Sequence, residues 1–172
     1  MKKIILLGYM GCGKSTIAKL LAEKVSLPYL DLDEIIEKRE NAPVKKIFSE
    51  KSEIYFRKLE HDIFSDLMKN QDSFVLSLGG GTPCYANNHE LLNGENVFSI
   101  YLNGSVTTLY NRVRNANTKR PLIANKTPEE MKEFIAKNLF DRSFYYNQAR
   151  YKINIDDKTV GCVLAEIETI LA

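Results

Sequence analysis

An apolar run, Lys3–Leu7, ends at Gly8-Tyr9-Met10-Gly11-Cys12-Gly13-Lys14-Ser15, and a helical pattern, Lys14–Val25, begins inside that segment. Strand, glycine-rich turn and helix in this order confine the chain to layered α/β architectures. The turn has the form of the phosphate-cradling P-loop. Its glycines let successive backbone N–H groups face phosphate oxygens, and the helix N-terminus adds its positive dipole end. Lys14 is placed to reach the β- and γ-phosphates, Ser15 to ligate Mg²⁺, and Gly11, Cys12, Gly13 and Thr16 to complete a nucleotide cradle. The plain alternative is a strand-to-helix turn whose Lys14 and Ser15 have no ligand.

Four further strand-like runs, Tyr29–Leu32, Phe74–Leu78, Val97–Leu102 and Tyr151–Ile155, alternate with helical patterns at Glu53–Lys69, Val106–Arg114, Glu129–Asn147 and Val160–Leu171. Such alternation implies a parallel sheet covered by helices on both faces, with ligands at the carboxyl ends of its strands. At 172 residues the chain is read as one domain, 1–172. Two stretches exceed what crossovers need. Residues 33–60 hold helical material broken near Asn41-Ala42-Pro43 and are expected to form a substrate lobe. Residues 112–126 are polar and basic and are expected to form a lid.

With 24 basic against 22 acidic residues, a net charge of +2 and both signs dispersed, no basic field for a nucleic acid partner is present. No run approaches the roughly 18 apolar residues of a membrane span, and the apolar stretch after Met1-Lys2-Lys3 is too short for a signal peptide. The three cysteines, Cys12, Cys84 and Cys162, are odd in number and far apart, which points to a reducing cytoplasm. Cys12 reads as a small filler, with a reactive thiol as the alternative. Cys84, Cys162, His61 and His89 match no metal-site spacing, and both histidines are expected at the surface.

Asp31-Leu32-Asp33-Glu34 closes the second strand-like run. Side chains two apart on a strand share a face. Asp31 and Asp33 are therefore expected to point into one site, one holding Mg²⁺ through water and the other accepting a hydroxyl proton. An Asp in this place also serves as a helix cap. Gly79-Gly80-Gly81 follows the third strand, where many P-loop proteins carry a metal-binding acid. None stands here; Ser77 is the candidate to contact a metal-bound water, and the three glycines expose backbone to a close ligand. On the long helix from Glu53, i,i+3 spacing sets Arg57 beside Glu60. On the surface such a pair contributes roughly a few tenths of a kcal/mol; buried beside Phe56 it becomes a bidentate clamp for a carboxylate. Arg142 is a second candidate clamp. Arg120, in the basic stretch, can swing over the phosphates and neutralise the charge that develops as the γ-phosphoryl leaves.

Together these motifs resemble the shikimate kinase family over nearly the whole chain: GxxGxGKST at Gly8 to Thr16, Asp31-Leu32-Asp33, Ile47-Phe48 followed by Glu53, Phe56-Arg57 and Glu60, Leu78-Gly79-Gly80-Gly81, Arg120-Pro121-Leu122, and Arg142 with Tyr145. The resemblance implies the nucleoside-monophosphate kinase fold, a five-stranded parallel sheet with helices on both faces, an inserted substrate lobe and a lid. It implies ATP-dependent phosphorylation of the 3-hydroxyl of shikimate, a step of chorismate and aromatic amino acid biosynthesis, with Mg²⁺. By matched position, Asp33 would orient that hydroxyl and act as base. Arg57, Arg142 and the Gly80-Gly81 backbone would hold the carboxylate and ring hydroxyls, with Gly79 and Glu60 in the same pocket. Lys14 and Arg120 would stabilise the transferring phosphoryl. Ser15 would ligate Mg²⁺, with Asp31 contributing through water, and Val44, Phe48 and Phe56 would wall the ring. The expected partner is the small-molecule substrate alone, with neither nucleic acid nor membrane, in a cytoplasmic monomer.

The chain departs from the family at Ser52 and at Asn41-Ala42, where glycine is common, which is expected to shift local backbone geometry. The Arg-Pro of the adenine loop is lacking at Asp156-Asp157-Lys158-Thr159, leaving Arg114 and Lys158 as candidate adenine contacts. One rival is another small-molecule kinase of the same fold, such as a gluconate or nucleotide kinase. A second is a non-catalytic nucleotide switch, but the guanine-reading N-K-x-D is broken at Asn125-Lys126-Thr127-Pro128.

Overall fold

The computed structural model describes residues 1–116 and 125–172. Its elements run β1 (Lys3–Leu7), α1 (Lys14–Val25), β2 (Tyr29–Asp31), α2 (Leu32–Glu40), α3 (Val44–Lys51), α4 (Glu53–Lys69), β3 (Phe74–Ser77), β4 (Val97–Asn103), α5 (Val106–Asn115), α6 (Pro128–Tyr146), β5 (Tyr151–Asn154) and α7 (Val160–Leu171), with 3₁₀ turns at Thr82–Cys84 and Asn88–Leu92. The five strands pair in parallel in the order β2-β3-β1-β4-β5. The chain leaves β1 toward β2, returns to β3 and then crosses β1 to reach β4. The reversal makes the carboxyl ends of β1 and β3 the switch point, where a ligand crevice opens.

Right-handed crossovers put α1 on one face of the sheet and α4 and α5 on the other. α7 returns to α1, where Lys24 and Glu168 pair at 3.0 Å. Every residue of β1 and β3 is buried, as strands covered on both faces require. The core of Ile4, Ile5, Leu6, Leu7, Leu76 and Ile100 fixes the strand ends, and with them the loops that carry the site.

β2 ends at Asp31, one residue earlier than the hydrophobic run predicts. The Asp31 carboxylate accepts the Glu34 N–H at 3.2 Å, so Asp31 caps α2 and Leu32 is already helical. Asp33 therefore lies in a first helical turn, and helical rather than strand geometry sets its direction, contrary to the expected alternation with Asp31. The break expected near Asn41-Ala42-Pro43 separates α2 from α3. Asn41 (φ 51°) and Ser52 (φ 92°) both hold positive φ of the sort glycine adopts freely.

The histidines are half-buried, contrary to the surface expectation. The segment 82–92 packs between α4 and α6, which sets His61 Nδ1 2.7 Å from Asn88 Oδ1 and His89 edge-on against Phe144 and Tyr145. Cys12 is fully buried under the loop that holds it. Of the 112–126 stretch, residues 112–115 close α5, while Lys119, Arg120 and Pro121-Leu122 lie outside the described residues. Among the described residues no helix is long and apolar enough to cross a membrane.

Candidate active site

The loop from β1 to α1 needs a residue without a side chain at Gly8. Its φ is 148°, and a Cβ there would stand 2.8 Å from both Cys12 Sγ and the Leu102 carbonyl. So placed, the loop bounds a cavity of about 360 Å³ lined by Gly11, Gly13, Lys14, Ser15, Thr16, Asp31, Asp33, Gly79 and Gly80, all expected site residues, together with Met10, Ser77, Leu78 and Arg112. Lys14 Nζ donates to the carbonyls of Gly8 at 2.8 Å and Tyr9 at 3.2 Å, so the ammonium lies across the loop. Cys12, expected in the nucleotide cradle, is fully buried beneath the loop and does not line the cavity.

Ser15 Oγ donates to Asp31 Oδ2 at 3.3 Å, and Tyr29 donates to the same oxygen at 3.2 Å. Asp31 is thus both helix cap and partner of the metal-ligand candidate. A hydroxyl and a carboxylate at one end of a phosphate cradle form the hard-oxygen donor set that suits Mg²⁺, which takes few protein ligands and completes its shell with phosphate and water. Among the described residues no group of three or more His, Cys, Asp or Glu forms a metal cage.

Asp33 is half-buried and lines both of two adjoining cavities. Burial, with the charges of Asp31 and Glu60 nearby, raises its carboxyl to about 6, against a smaller opposing pull from Lys14. It is ionised at neutral pH yet basic enough to take a proton, the condition for a general base near 7. The second cavity, about 140 Å³, is lined by Asp33, Val44, Phe48, Phe56, Arg57, Glu60, Gly79, Gly80 and Gly81. Phe48 and Phe56 pack with ring centroids 4.6 Å apart and give it an apolar wall.

The Arg57–Glu60 pair is the buried alternative, not the surface one. Arg57 Nη1 donates to Glu60 Oε1 at 2.9 Å, with the side chains 17% and 1% exposed, and Thr82 Oγ1 donates to Glu60 Oε2 at 2.8 Å. A Cβ at Gly81 would lie 2.7 Å from Arg57 Nη2 and 2.9 Å from Nη1. The bare backbone of Gly81 is what lets the guanidinium close that side of the cavity. Arg142 reaches the other side of the glycine loop, its Nη1 being 3.4 Å from a Cβ placed at Gly80.

Not every expected residue converges. Arg114 is exposed and lines neither cavity. Lys158 pairs with Glu166 at 2.6 Å. Two residues escaped the sequence reading. Arg112 Nη1 donates to the Cys12 carbonyl at 3.2 Å and lines the larger cavity; 100° per residue along α5 turns it toward the loop and Arg114 away. Tyr146 is fully buried, donates to the Gly80 carbonyl at 2.5 Å and hydrogen-bonds with Arg142 four residues earlier. The i,i+4 spacing of an Arg and a Tyr was the available signal. Tyr145 instead packs on His89.

The family described as shikimate kinase matches residues 10–171 of this chain. A shikimate kinase of Flavobacterium johnsoniae is 56% identical over 172 residues, covering all of both chains. Among solved structures, a shikimate kinase from Bacteroides thetaiotaomicron superposes with a TM-score of 0.90 at 33% identity, over 99% of this chain and 98% of the other. A shikimate kinase from Acinetobacter baumannii in complex with shikimate superposes with a TM-score of 0.85 at 28% identity, over 99% of this chain and 93% of the other.

Proposed function

The chain belongs to the shikimate kinase family, and from that premise we propose that it transfers the γ-phosphoryl group of ATP to the 3-hydroxyl of shikimate, giving ADP and shikimate 3-phosphate. One observation carries the assignment of its residues: Asp33, Gly79 and Gly80 line both cavities. An alcohol held in the smaller cavity meets, at that partition, a phosphoryl group held in the larger one.

Arg57, anchored by Glu60, and Arg142, anchored by Tyr146, hold the carboxylate and ring hydroxyls, while Val44, Phe48 and Phe56 exclude water from the ring. Asp33 accepts the proton of the 3-hydroxyl as its oxygen bonds to the γ-phosphorus and the bond to the β-γ bridging oxygen breaks. Phosphoryl transfer passes through a loose transition state, so positioning and charge neutralisation outweigh proton removal. Lys14 and the loop N–H groups supply that neutralisation. Arg120 joins them on sequence position alone. Ser15, with Asp31 contributing through water, would hold Mg²⁺, which would supply further charge neutralisation at the phosphates. The reading includes a substrate lobe at about 33–60, a lid at about 112–126 and a cytoplasmic monomer. Free Cys12, Cys84 and Cys162 support the reducing compartment.

A panel of shikimate, gluconate and nucleoside monophosphates, each scored for ADP release, tests the reading. Turnover with shikimate alone is expected. Turnover with gluconate or a nucleotide and none with shikimate overturns it.

A further inference from the structure

Arg57 stands between two spaces. On its inner side is the cavity shared with Asp33; on its outer side is a cleft bounded by Glu53, Ile54, Tyr85 and Ala86. Tyr85 lines only the outer cleft. The Arg57 Cζ lies 3.9 Å from the centroid of the Tyr85 ring, against 5.2 Å for Phe56 and 5.8 Å for Phe48. At 3.9 Å the guanidinium carbon lies over the ring face in close cation–π contact. The Phe56 and Phe48 rings stand farther off, and the polar restraints act on edges of the guanidinium: Glu60 on Nη1 at 2.9 Å and Glu53 near Nε at 3.6 Å, with Gly81, where a Cβ would lie 2.7 Å from Nη2, beside the third nitrogen. An edge contact leaves the plane free to tilt, whereas a flat face does not.

The loop that carries Tyr85 is itself held in place. Ala86 (φ 50°) and Asn87 (φ 55°) are both left-handed, a pairing rarely adopted without glycine. The next residue, Asn88, is fully buried; it donates to the Thr82 carbonyl at 2.9 Å and meets His61 at 2.7 Å. Thr82 donates in turn to Glu60. One loop therefore positions both the ring against Arg57 and the carboxylate that pairs with it.

We propose that Tyr85 is a positioning residue for the substrate carboxylate, its ring backing the Arg57 guanidinium from the outer cleft so that the guanidinium presents one fixed edge to the inner cavity. The proposal rests on Arg57 being the carboxylate clamp of the reaction above, and Tyr85 itself touches no substrate.

Steady-state kinetics on the full-length wild type and on Tyr85→Ala, Tyr85→Leu and Tyr85→Phe test it. Loss of the stack in the Ala and Leu variants is expected to raise the KM for shikimate about 5- to 30-fold, with kcat and the KM for ATP within about twofold of wild type. Tyr85→Phe, which keeps the ring face, is expected to stay within about twofold throughout. An unchanged shikimate KM in Tyr85→Ala and Tyr85→Leu overturns the proposal, as does a Phe variant as impaired as Ala. A parallel loss of kcat and ATP affinity in both truncated variants assigns the ring to folding and overturns it too. A wild type without shikimate turnover defeats the proposed function and this inference together, whereas an active wild type with indifferent variants defeats the inference alone.

Discussion

At Arg57 a short sequence becomes a binding device because three neighbours differ in kind: a buried acid, a residue with no side chain and an aromatic face. Charge-assisted hydrogen bonds contribute about 1.5–3 kcal/mol each. Arg57→Ala is therefore expected to raise the KM for shikimate roughly 10- to 100-fold while changing kcat less, with the loss of binding measured by calorimetry. Asp33 carries a second prediction. Its carboxyl is raised to about 6 by burial and by Asp31 and Glu60, so kcat/KM should fall below about pH 6 as the base is protonated. Asp33→Asn should abolish that limb and lower kcat by about 10²–10⁴. The linkage sign is the reverse of a salt-bridged acid. A folded-state value above the unfolded one means that the ionised form destabilises the fold, and the cost appears as pH rises from about 4 through 6. Asp33→Asn should thus be more stable than wild type at pH 8, by about 1–3 kcal/mol, and thermal melts should show the gap closing toward pH 4.

At the scale of elements, two helix boundaries show what can be read from a chain and what cannot. Ser52 caps α4 through its hydroxyl, accepting the Tyr55 N–H at 3.3 Å, yet its φ of 92° and ψ of 161° fall in a region almost reserved for glycine. Strain there costs about 1–3 kcal/mol, while exchanging a Ser cap for Gly loses only about a few tenths. Ser52→Gly should raise Tm by about 2–4 °C, measured by thermal unfolding with activity retained. The strand-helix alternation, the break at Asn41-Ala42-Pro43 and the P-loop were legible because period, proline and glycine are local signals. The end of β2 was not, since a side-chain cap competing with a strand pattern at Asp31 is settled by packing. Arg112 and Arg114 show the same limit. Both are basic and both lie near the loop, and only the rotation of α5 about its own axis separates the one that lines the cavity from the one in solvent. Tyr146 was hidden for a different reason, because its partner, the Gly80 carbonyl, is 66 residues away.

For the whole molecule, the strand order β2-β3-β1-β4-β5 brings three separate loops to one rim, so the site exists only when the sheet is assembled. Ligands that bind only the folded chain stabilise it by mass action, about 2.7 kcal/mol at a hundredfold excess over Kd. Shikimate and Mg-nucleotide should each raise Tm, and EDTA should abolish the nucleotide increment and all turnover while leaving the shikimate increment in place. Loss of the shikimate increment under EDTA would show that the metal also organises the smaller cavity. The partition formed by Asp33, Gly79 and Gly80 has a further consequence. Two ligands that meet at residues common to both cavities can be joined into a single tethered compound with almost no linker, and so little chain entropy would be lost that such a bisubstrate molecule would draw on nearly the full effective concentration of one half for the other.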